Sequence, residues 1–338
     1  MLFLRQHFSF VMMNKTAIKT RVVGVEINLD LTLYAIVDIR GDIIAEAELV
    51  TSDYPDVNQF VTALCDGIMN LIVEHDGFEN IRSVGISAPS GNFQSNCMEN
   101  SPNMPWKGVI PLAAMMRDRL GLAVSLSNNA HVVALAEHAF GSAHGMNDFV
   151  VLTLGHGVGS CFFSNGIAHL GVDGSGGEIG HTCLIPGGRQ CGCGHHGCLE
   201  AYCSAKGIIR TARELLEKSD KPSLMRGVEH LSPKVITDFC EQGDELAIET
   251  YRQTGYKLGW GLSNYASILN PEAFIFTGGV VYAGKWLLDP AYESFEKHVF
   301  HNIQNKVKFL NSTLKDSERN VLGASVLAWG VTEYSLFK

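Results

Sequence analysis

The segment Gly177-Glu178-Ile179-Gly180-His181 is followed, ten residues after its histidine, by Cys191-Gly192-Cys193-Gly194-His195-His196-Gly197-Cys198-Leu199-Glu200. Three cysteines within eight residues, in a chain whose other cysteines are scattered, indicate a metal site and not a disulfide framework. Three thiolates and one imidazole would form a closed, tetrahedral zinc site of the structural kind. Such a site would pin a loop with Glu178, His181 and Glu200 at its edges, where we expect a ligand.

Composition indicates a globular protein with a large core and no affinity for nucleic acid. The chain has 338 residues, of which 46% are hydrophobic and 18% charged, and its net charge is -9. No cluster of Lys and Arg is present to neutralise phosphates. The apolar start, residues 1–13, is interrupted by polar residues and is too short to span a membrane. Translation from Met12 or Met13 is an alternative, and we expect a cytoplasmic protein.

A similar order of strands and helices occurs twice along the chain, from about residue 22 and from about residue 149. The predicted helices include 56–75, 109–120, 130–140, 204–217, 244–268 and 323–334. This repetition predicts two α/β domains with a cleft between them. The predicted divisions are an extension at 1–21, domains at 22–140 and 141–322 with a zinc loop at 181–198, and a C-terminal helix at 323–338.

These segments resemble the ROK family of sugar kinases and repressors, within the actin/hexokinase-like ATPase superfamily. The resemblance runs from about Val22 to about Trp329, and two segments are similar to the bacterial glucokinase branch: Pro102-Asn103-Met104-Pro105-Trp106-Lys107-Gly108 and Leu154-Gly155-His156-Gly157-Val158-Gly159. It implies an α/β fold of two ribonuclease H-like domains and a homodimer. Repressors of the family carry a winged helix before the first strand, where only about twenty residues stand here, so we expect no DNA-binding domain.

The resemblance also implies ligands. Zinc would be held by His181, Cys191, Cys193 and Cys198, with free thiols in a glycine-rich loop as the alternative. A hexose would contact Asn103, Asn128, Glu178, His181 and Glu200, and Gly91 and Asn92 would shape the pocket. The alternative is that these polar groups belong to ordinary loops or support the zinc ligands.

At the catalytic base the sequence departs from the family pattern. Family kinases carry Asn-Asp-Ala-Asn, in which the Asp accepts the proton of the attacking sugar hydroxyl. The corresponding stretch here is Asn128-Asn129-Ala130-His131. An amide at Asn129 can hold a hydroxyl group but cannot take its proton, and loss of a general base typically costs about 10² to 10⁴ in rate. His131 as a substitute base is a hypothesis.

The predicted nucleotide side also departs from the family pattern. The family motif Asp-x-Gly-Gly-Thr is replaced by Glu26-Ile27-Asn28-Leu29-Asp30, which lacks both glycines and adds a negative charge. A second Gly-Thr-Gly turn has become Gly155-His156-Gly157, whereas the Gly278-Gly279 pair remains. Glu26 keeps a carboxylate for Mg²⁺, and an active protein would use Mg²⁺ and ATP.

The departures fall on the phosphate side, whereas the zinc and sugar residues follow the family pattern. The sequence therefore predicts a glucokinase-like protein that binds a hexose, with impaired phosphorylation of its 6-hydroxyl. The alternative is an inactive sugar-sensing pseudokinase or partner-binding regulator. Enzymatic activity and the identity of the sugar stay open at this point.

Overall fold

The computed structural model describes residues 18–75, 77–102 and 104–331. Asn103, the alternative starts Met12 and Met13, most of the predicted N-terminal extension and the end of the predicted C-terminal helix lie outside these ranges. Among the described residues, no helix combines the length and hydropathy needed to cross a bilayer.

The N-terminal half is built on a five-stranded sheet. Its strands are β1 (Arg21–Ile27), β2 (Leu31–Asp38), β3 (Ile43–Val50), β4 (Ile81–Ser87) and β8 (Ala123–Ser127), in the order β3-β2-β1-β4-β8. The first three strands are antiparallel, and β4 and β8 continue the sheet in parallel with β1. Six of the seven residues of β1 are buried, because helices cover both faces of a strand at the centre of such a sheet.

A small sheet projects from this half, formed by β5 (Gly91–Asn92), β6 (Cys97–Glu99) and β7 (Val109–Ile110). The sequence predicts helix over 109–120, but residues 109 and 110 pair with β6, and the helix begins only after Pro111. Proline has no N–H to donate and suits the entry to a helix better than its interior.

The C-terminal half repeats the arrangement. A second five-stranded sheet consists of β9 (Phe149–Leu154), β10 (Val158–Ser164), β11 (Ile167–Ala168), β12 (Ala273–Thr277) and β13 (Lys308–Asn311), in the order β11-β10-β9-β12-β13. Strands β9 and β10 are antiparallel, whereas β12 is parallel to both β9 and β13. The two sheets confirm the predicted α/β architecture, and the exact domain boundaries stay a prediction.

Nine α-helices are described in these ranges. They are α1 (Val57–His75), α2 (Leu112–Leu120), α3 (Asn129–Phe140), α4 (Glu200–Cys203), α5 (Ala205–Lys218), α6 (Pro233–Glu241), α7 (Glu245–Leu269), α8 (Lys285–His298) and α9 (Asp316–Trp329).

The last of these helices, α9, returns to the N-terminal half and packs against β1, β4 and α3. Its backbone comes so close to the sheet that a Cβ on Gly85 would lie 1.9 Å from the Ala324 carbonyl oxygen, and one on Gly24 would lie 2.3 Å from that of Val321. Only glycine permits this approach. The helix begins seven residues before the predicted start at 323.

Candidate functional site

Polar residues gather where the central strands of the N-terminal sheet end. Glu26, Ser87 and Ser127 are neighbours across β1, β4 and β8, one or no residue from the carboxyl end of each strand. In open α/β sheets, ligands bind beyond this edge. In the second sheet, Thr153 and Thr277 pair at the corresponding ends of β9 and β12, and their hydroxyl oxygens are 3.0 Å apart.

A polar pocket of about 430 Å³ lies between the two halves. Its lining combines the segment after β4, the start of α3 and a loop of the C-terminal half: Pro89, Ser90, Gly91, Asn92, Glu99, Asn128, Asn129, Ala130, Gly174, Ser175 and Glu178. Five residues predicted from the sequence, Gly91, Asn92, Asn128, Asn129 and Glu178, therefore line one pocket. Its volume falls within the range of small-molecule sites.

The pocket wall is held together across the two halves by side-chain amides. Asn92 Nδ2 donates to the Asp173 carbonyl oxygen at 2.8 Å, and Gln94 Nε2 donates to that of Gly171 at 3.0 Å. Ser90 adopts a φ of 54°, a left-handed conformation uncommon for a residue other than glycine. These contacts fix the hairpin around β5 and β6 against the loop that precedes Glu178.

The two asparagines at the start of α3 have different roles. Asn128 is the N-cap residue, and its Oδ1 accepts from the His131 backbone N–H at 2.9 Å. Asn129 is the first helical residue, and its Oδ1 accepts from the Ser87 hydroxyl at 3.0 Å. The side chain at the predicted base position is thus an oriented amide that faces the pocket.

The structure does not favour His131 as a substitute base. Its ring is buried, Nδ1 lies 2.8 Å from Ser127 Oγ, and burial lowers its pKa to about 4. It lines a second cavity, of about 710 Å³, together with His138 and Phe163. His131 is not among the residues that line the polar pocket with Asn129.

The four predicted zinc ligands come together. His181 and the three cysteines of the loop, Cys191, Cys193 and Cys198, place one ligand atom each within 4.8 Å of all the others. Cys193 and Cys198 have their sulfurs 3.7 Å apart, and Cys191 Sγ lies 3.8 Å from His181 Nδ1. Ideal tetrahedral zinc, with Zn–S of about 2.3 Å and Zn–N of about 2.0 Å, would separate the two sulfurs by about 3.8 Å and the sulfur and nitrogen by about 3.5 Å. The donor set and its spacing fit zinc.

Local backbone chemistry explains why the loop closes on itself. Gly194 and Gly197 have φ values of 92° and 82°, in the left-handed region that favours glycine. A Cβ on Gly197 would also lie 1.8 Å from the Ile185 carbonyl oxygen. Cys191 N donates to the His195 carbonyl oxygen at 2.8 Å, and this bond closes the turn that carries the first two cysteines.

Two carboxylates connect this cluster to its surroundings. Glu200, at the start of α4, accepts from the Val158 N–H through Oε2 at 3.0 Å, while its Oε1 lies 3.6 Å from Cys191 Sγ. Burial raises the pKa of Glu178, Glu200 adds to the rise and His181 opposes it. Glu178 lines the polar pocket, whereas His181 and Glu200, also predicted to contact the sugar, are not among its lining residues.

On the predicted nucleotide side, the glycine turns are present, but the carboxylate of Glu26 already accepts hydrogen bonds from the chain. The Gly155-His156-Gly157 turn joins β9 to β10, and a Cβ on Gly157 would lie 2.6 Å from Glu200 Oε2. Gly278, with a φ of 91°, follows β12 and packs on the Leu154 backbone, with Gly279 beside open space. Glu26 is 7% exposed and accepts two amide hydrogen bonds from within the chain.

Several residues of the site were missed by sequence reasoning. Ser87 orients Asn129, Glu99 and Ser175 line the pocket, and Asn320 of α9 contacts Glu26. Ser87 is the last residue of β4, and a polar residue at the carboxyl end of a parallel strand could have indicated it. Asn320 lies 294 residues from its partner, and no local pattern connects the two.

Comparison with known proteins identifies relatives of this chain. The ROK family model matches residues 22–330. A glucokinase of Halalkalibacterium halodurans is 30% identical over 311 residues, which is 90% of this chain and 94% of the relative. A xylose repressor of Bacillus spizizenii is 24% identical over 294 residues, covering 86% of this chain and 73% of the repressor.

The fold of this chain is also similar to that of a solved structure. The ROK family glucokinase of Streptomyces griseus, in complex with glucose and AMPPNP, superimposes with a TM-score of 0.72 at 29% identity, over 91% of this chain and 99% of that one. The two-domain actin/hexokinase-like fold predicted from the sequence is thereby confirmed, and the chain belongs to the ROK family.

Proposed function

We propose that this protein binds a hexose, with glucose as the first candidate, in the polar pocket between its halves, and that its ATP-dependent phosphorylation of the 6-hydroxyl is impaired. The observation that carries the proposal is the lining of that pocket. It retains the amide of Asn128 and the carboxylate of Glu178 for sugar hydroxyls, but presents the amide of Asn129 at the base position.

Amides and carboxylates in fixed positions support recognition of vicinal hydroxyls. Asn92 and Asn128 are held by hydrogen bonds to the backbone, and Glu99 and Glu178 supply acceptors around the same space. A sugar that lacked one of the matching hydroxyls would leave a buried polar group unpaired, which costs about 1–3 kcal/mol. Similarity to glucokinases makes glucose the ligand to test first.

Asn129 supports sugar binding better than catalysis. Its Oδ1 is engaged by the Ser87 hydroxyl, which leaves its NH₂ group, a donor, to face the pocket. A donor can hold a sugar hydroxyl oxygen but cannot remove the hydroxyl proton as phosphate is attacked. Phosphoryl transfer depends largely on positioning and charge neutralisation, so slow turnover is compatible with this arrangement.

Zinc belongs to the proposal as a structural ion. His181, Cys191, Cys193 and Cys198 would hold it, and Zn²⁺ would supply the positive charge that stabilises three neighbouring thiolates. Glu200 would then support both the zinc loop, near Cys191, and the turn that begins β10, through Val158.

The test combines calorimetry with a coupled assay of glucose-dependent ADP release. We expect the wild type to bind glucose, Glu178→Gln to bind it at least tenfold more weakly, and Asn129→Asp to raise turnover about 10²-fold. Asn129→Ala is the matched control, because it removes the amide without supplying a base. Wild-type turnover at the rate of ordinary family kinases, or no binding of any hexose, would contradict the proposal.

The alternative is an inactive sugar sensor or partner-binding regulator. Similarity to the xylose repressor, a protein named for regulation, supports this alternative. It predicts glucose binding with no ADP release from either the wild type or Asn129→Asp. The assay therefore separates the two candidates directly.

A further inference from the structure

One oxygen of the Glu26 carboxylate already accepts two hydrogen bonds from within the chain. Its Oε1 accepts from Asn28 Nδ2 at 2.8 Å and from Asn320 Nδ2 at 2.5 Å, and the side chain is 7% exposed. Hydrogen bonds from neutral amides to a carboxylate are charge-assisted and stronger than those between neutral partners. The two donors come from opposite ends of the sequence and meet at the carboxyl end of β1.

Both donors are held in place. Asn28 lies in the turn between β1 and β2, which is closed by a hydrogen bond from Asn28 N to the Leu31 carbonyl oxygen at 3.2 Å. Asn320 lies on α9 beside Val321, whose carbonyl oxygen is in close contact with Gly24 of β1. Because the backbones of α9 and β1 approach closely at Gly24, the turn of α9 that carries Asn320 is held against β1 and Asn320 has little freedom to withdraw.

This arrangement does not fit a hydrated magnesium ion. Magnesium prefers oxygen ligands, which it contacts directly or through its bound waters. Two N–H groups aimed at Oε1 occupy one of the two carboxylate oxygens and bring the positive ends of their dipoles against the carboxylate, which weakens its attraction for a cation. Asp30 adds an exposed residue with negative charge to the same turn, which disfavours a polyphosphate.

We propose that Asn28 and Asn320 clamp the Glu26 carboxylate and thereby keep magnesium–polyphosphate off this edge of the sheet. The inference rests on the proposed function, since it supplies a second cause of impaired phosphorylation, independent of Asn129. Asn28 and Asn320 are positioning residues: they act through Glu26, and their effect is on nucleotide affinity.

The experiment is calorimetric titration with AMPPNP and Mg²⁺ in the absence of sugar. The wild type is compared with Asn28→Gly, which leaves α9 untouched, and with the double variant Asn28→Gly/Asn320→Ala. We expect at least tenfold tighter binding in the double variant, a smaller gain in the single variant, and loss of both gains when EDTA replaces Mg²⁺. Asn165→Gly, at an exposed turn with a φ of 53°, is the matched control and should equal the wild type.

Equal or weaker nucleotide binding by both variants would overturn the clamp, as would tight Mg²⁺-dependent binding by the wild type. Thermal melts of each variant show whether it is folded, and a misfolded double variant leaves the single variant to decide. The titration contains no sugar and measures no turnover, so its failure is distinct from failure of the proposed function, which is decided by glucose binding and ADP release.

Discussion

Burial sets the charge of His131, two residues after the predicted catalytic position Asn129. The ring is 4% exposed, Ser127 Oγ contacts its Nδ1, and the ring of Phe93 packs edge-on at 5.5 Å between centroids. Desolvation disfavours the imidazolium and lowers the pKa to about 4. The neutral ring therefore packs between α3 and the end of β8. This buried, structural position is compatible with a histidine in place of the asparagine of the family pattern.

The lowered pKa predicts a pH dependence of stability. Between about pH 4 and 6.5 the unfolded chain binds a proton at His131 that the folded chain does not, so the free energy of unfolding rises with pH across this window. The contribution is complete above about pH 6.5 and amounts to at most about 3 kcal/mol. Urea unfolding at several pH values should show a shallower rise for His131→Gln than for the wild type. Identical slopes would contradict the assignment.

The zinc loop is an element whose shape depends on four side chains and few regular hydrogen bonds. Two isolated β-bridges, Cys183 with Cys198 and Gln190 with His196, and turn-type backbone hydrogen bonds such as that from Cys191 N to the His195 carbonyl oxygen shape the loop. A loop built from turns and isolated bridges would gain rigidity from a cross-link. Because Glu200 contacts both this loop and the turn at Val158, the metal would also order part of the cleft.

Removal of one zinc ligand therefore predicts loss of both metal and rigidity. The wild type should contain about one zinc per chain by elemental analysis, and Cys198→Ser should contain almost none. The variant should also melt at a lower temperature, since binding free energy of a structural metal is folding free energy.

The matched control is Cys183→Ser. Cys183 is an exposed cysteine that bridges to Cys198 through its backbone but lies outside the four-residue cluster. It should keep the wild-type zinc content and melting temperature. Equal zinc in Cys198→Ser and the wild type would show that the cluster holds no metal.

Local elements could be predicted from the sequence because their signals are local. Helices α5 and α7 begin and end within one residue of prediction, since Ser204 and Asp244 cap them and apolar residues recur at helical spacing. The cluster of His181 with three cysteines could be predicted because the cysteines fall within eight residues. The small sheet of β5, β6 and β7 was missed, because strands of two or three residues carry no period.

At the scale of the whole molecule, the sequence offered no comparable signal. The placement of α9 on β1 and β4 depends on Gly24 and Gly85, which look like ordinary strand glycines until a helix lies on them. Asn320 and Glu26 meet across 294 residues. Contacts of this kind are set by the topology of both sheets, so the clamp and the connections between the halves could be seen only in the structure.

The chain passes between its two halves twice, once after α3 and once before α9. One buried carboxylate contacts both of these passages. Glu137, at 0% exposure near the end of α3, accepts from Ser142 N at 2.9 Å in the first passage and from the Ser312 hydroxyl in the second. Arg319 of α9 places Nε 3.6 Å from the same carboxylate. Ser142 Oγ also donates to the Asn311 carbonyl oxygen at 2.7 Å. The two passages are thereby held side by side.

Glu137→Gln should therefore weaken the whole molecule and not one half alone. The substitution keeps the shape of the side chain but removes its charge, which leaves Arg319 buried with only the partly exposed Asp316 as an acidic partner. Breaking a buried pair in this way should lower the free energy of unfolding by about 3 kcal/mol, as measured by urea denaturation.

Glu245→Gln is the comparison, since it removes an exposed pair with Lys221 and should cost less than about 1 kcal/mol. Because Glu137 contacts both passages, fluorescence and circular dichroism should lose their signals in one shifted transition. A shift confined to one of several transitions, or a loss no larger than that of Glu245→Gln, would mean that the halves are joined by packing alone. The buried carboxylate would then be a local support for the end of α3.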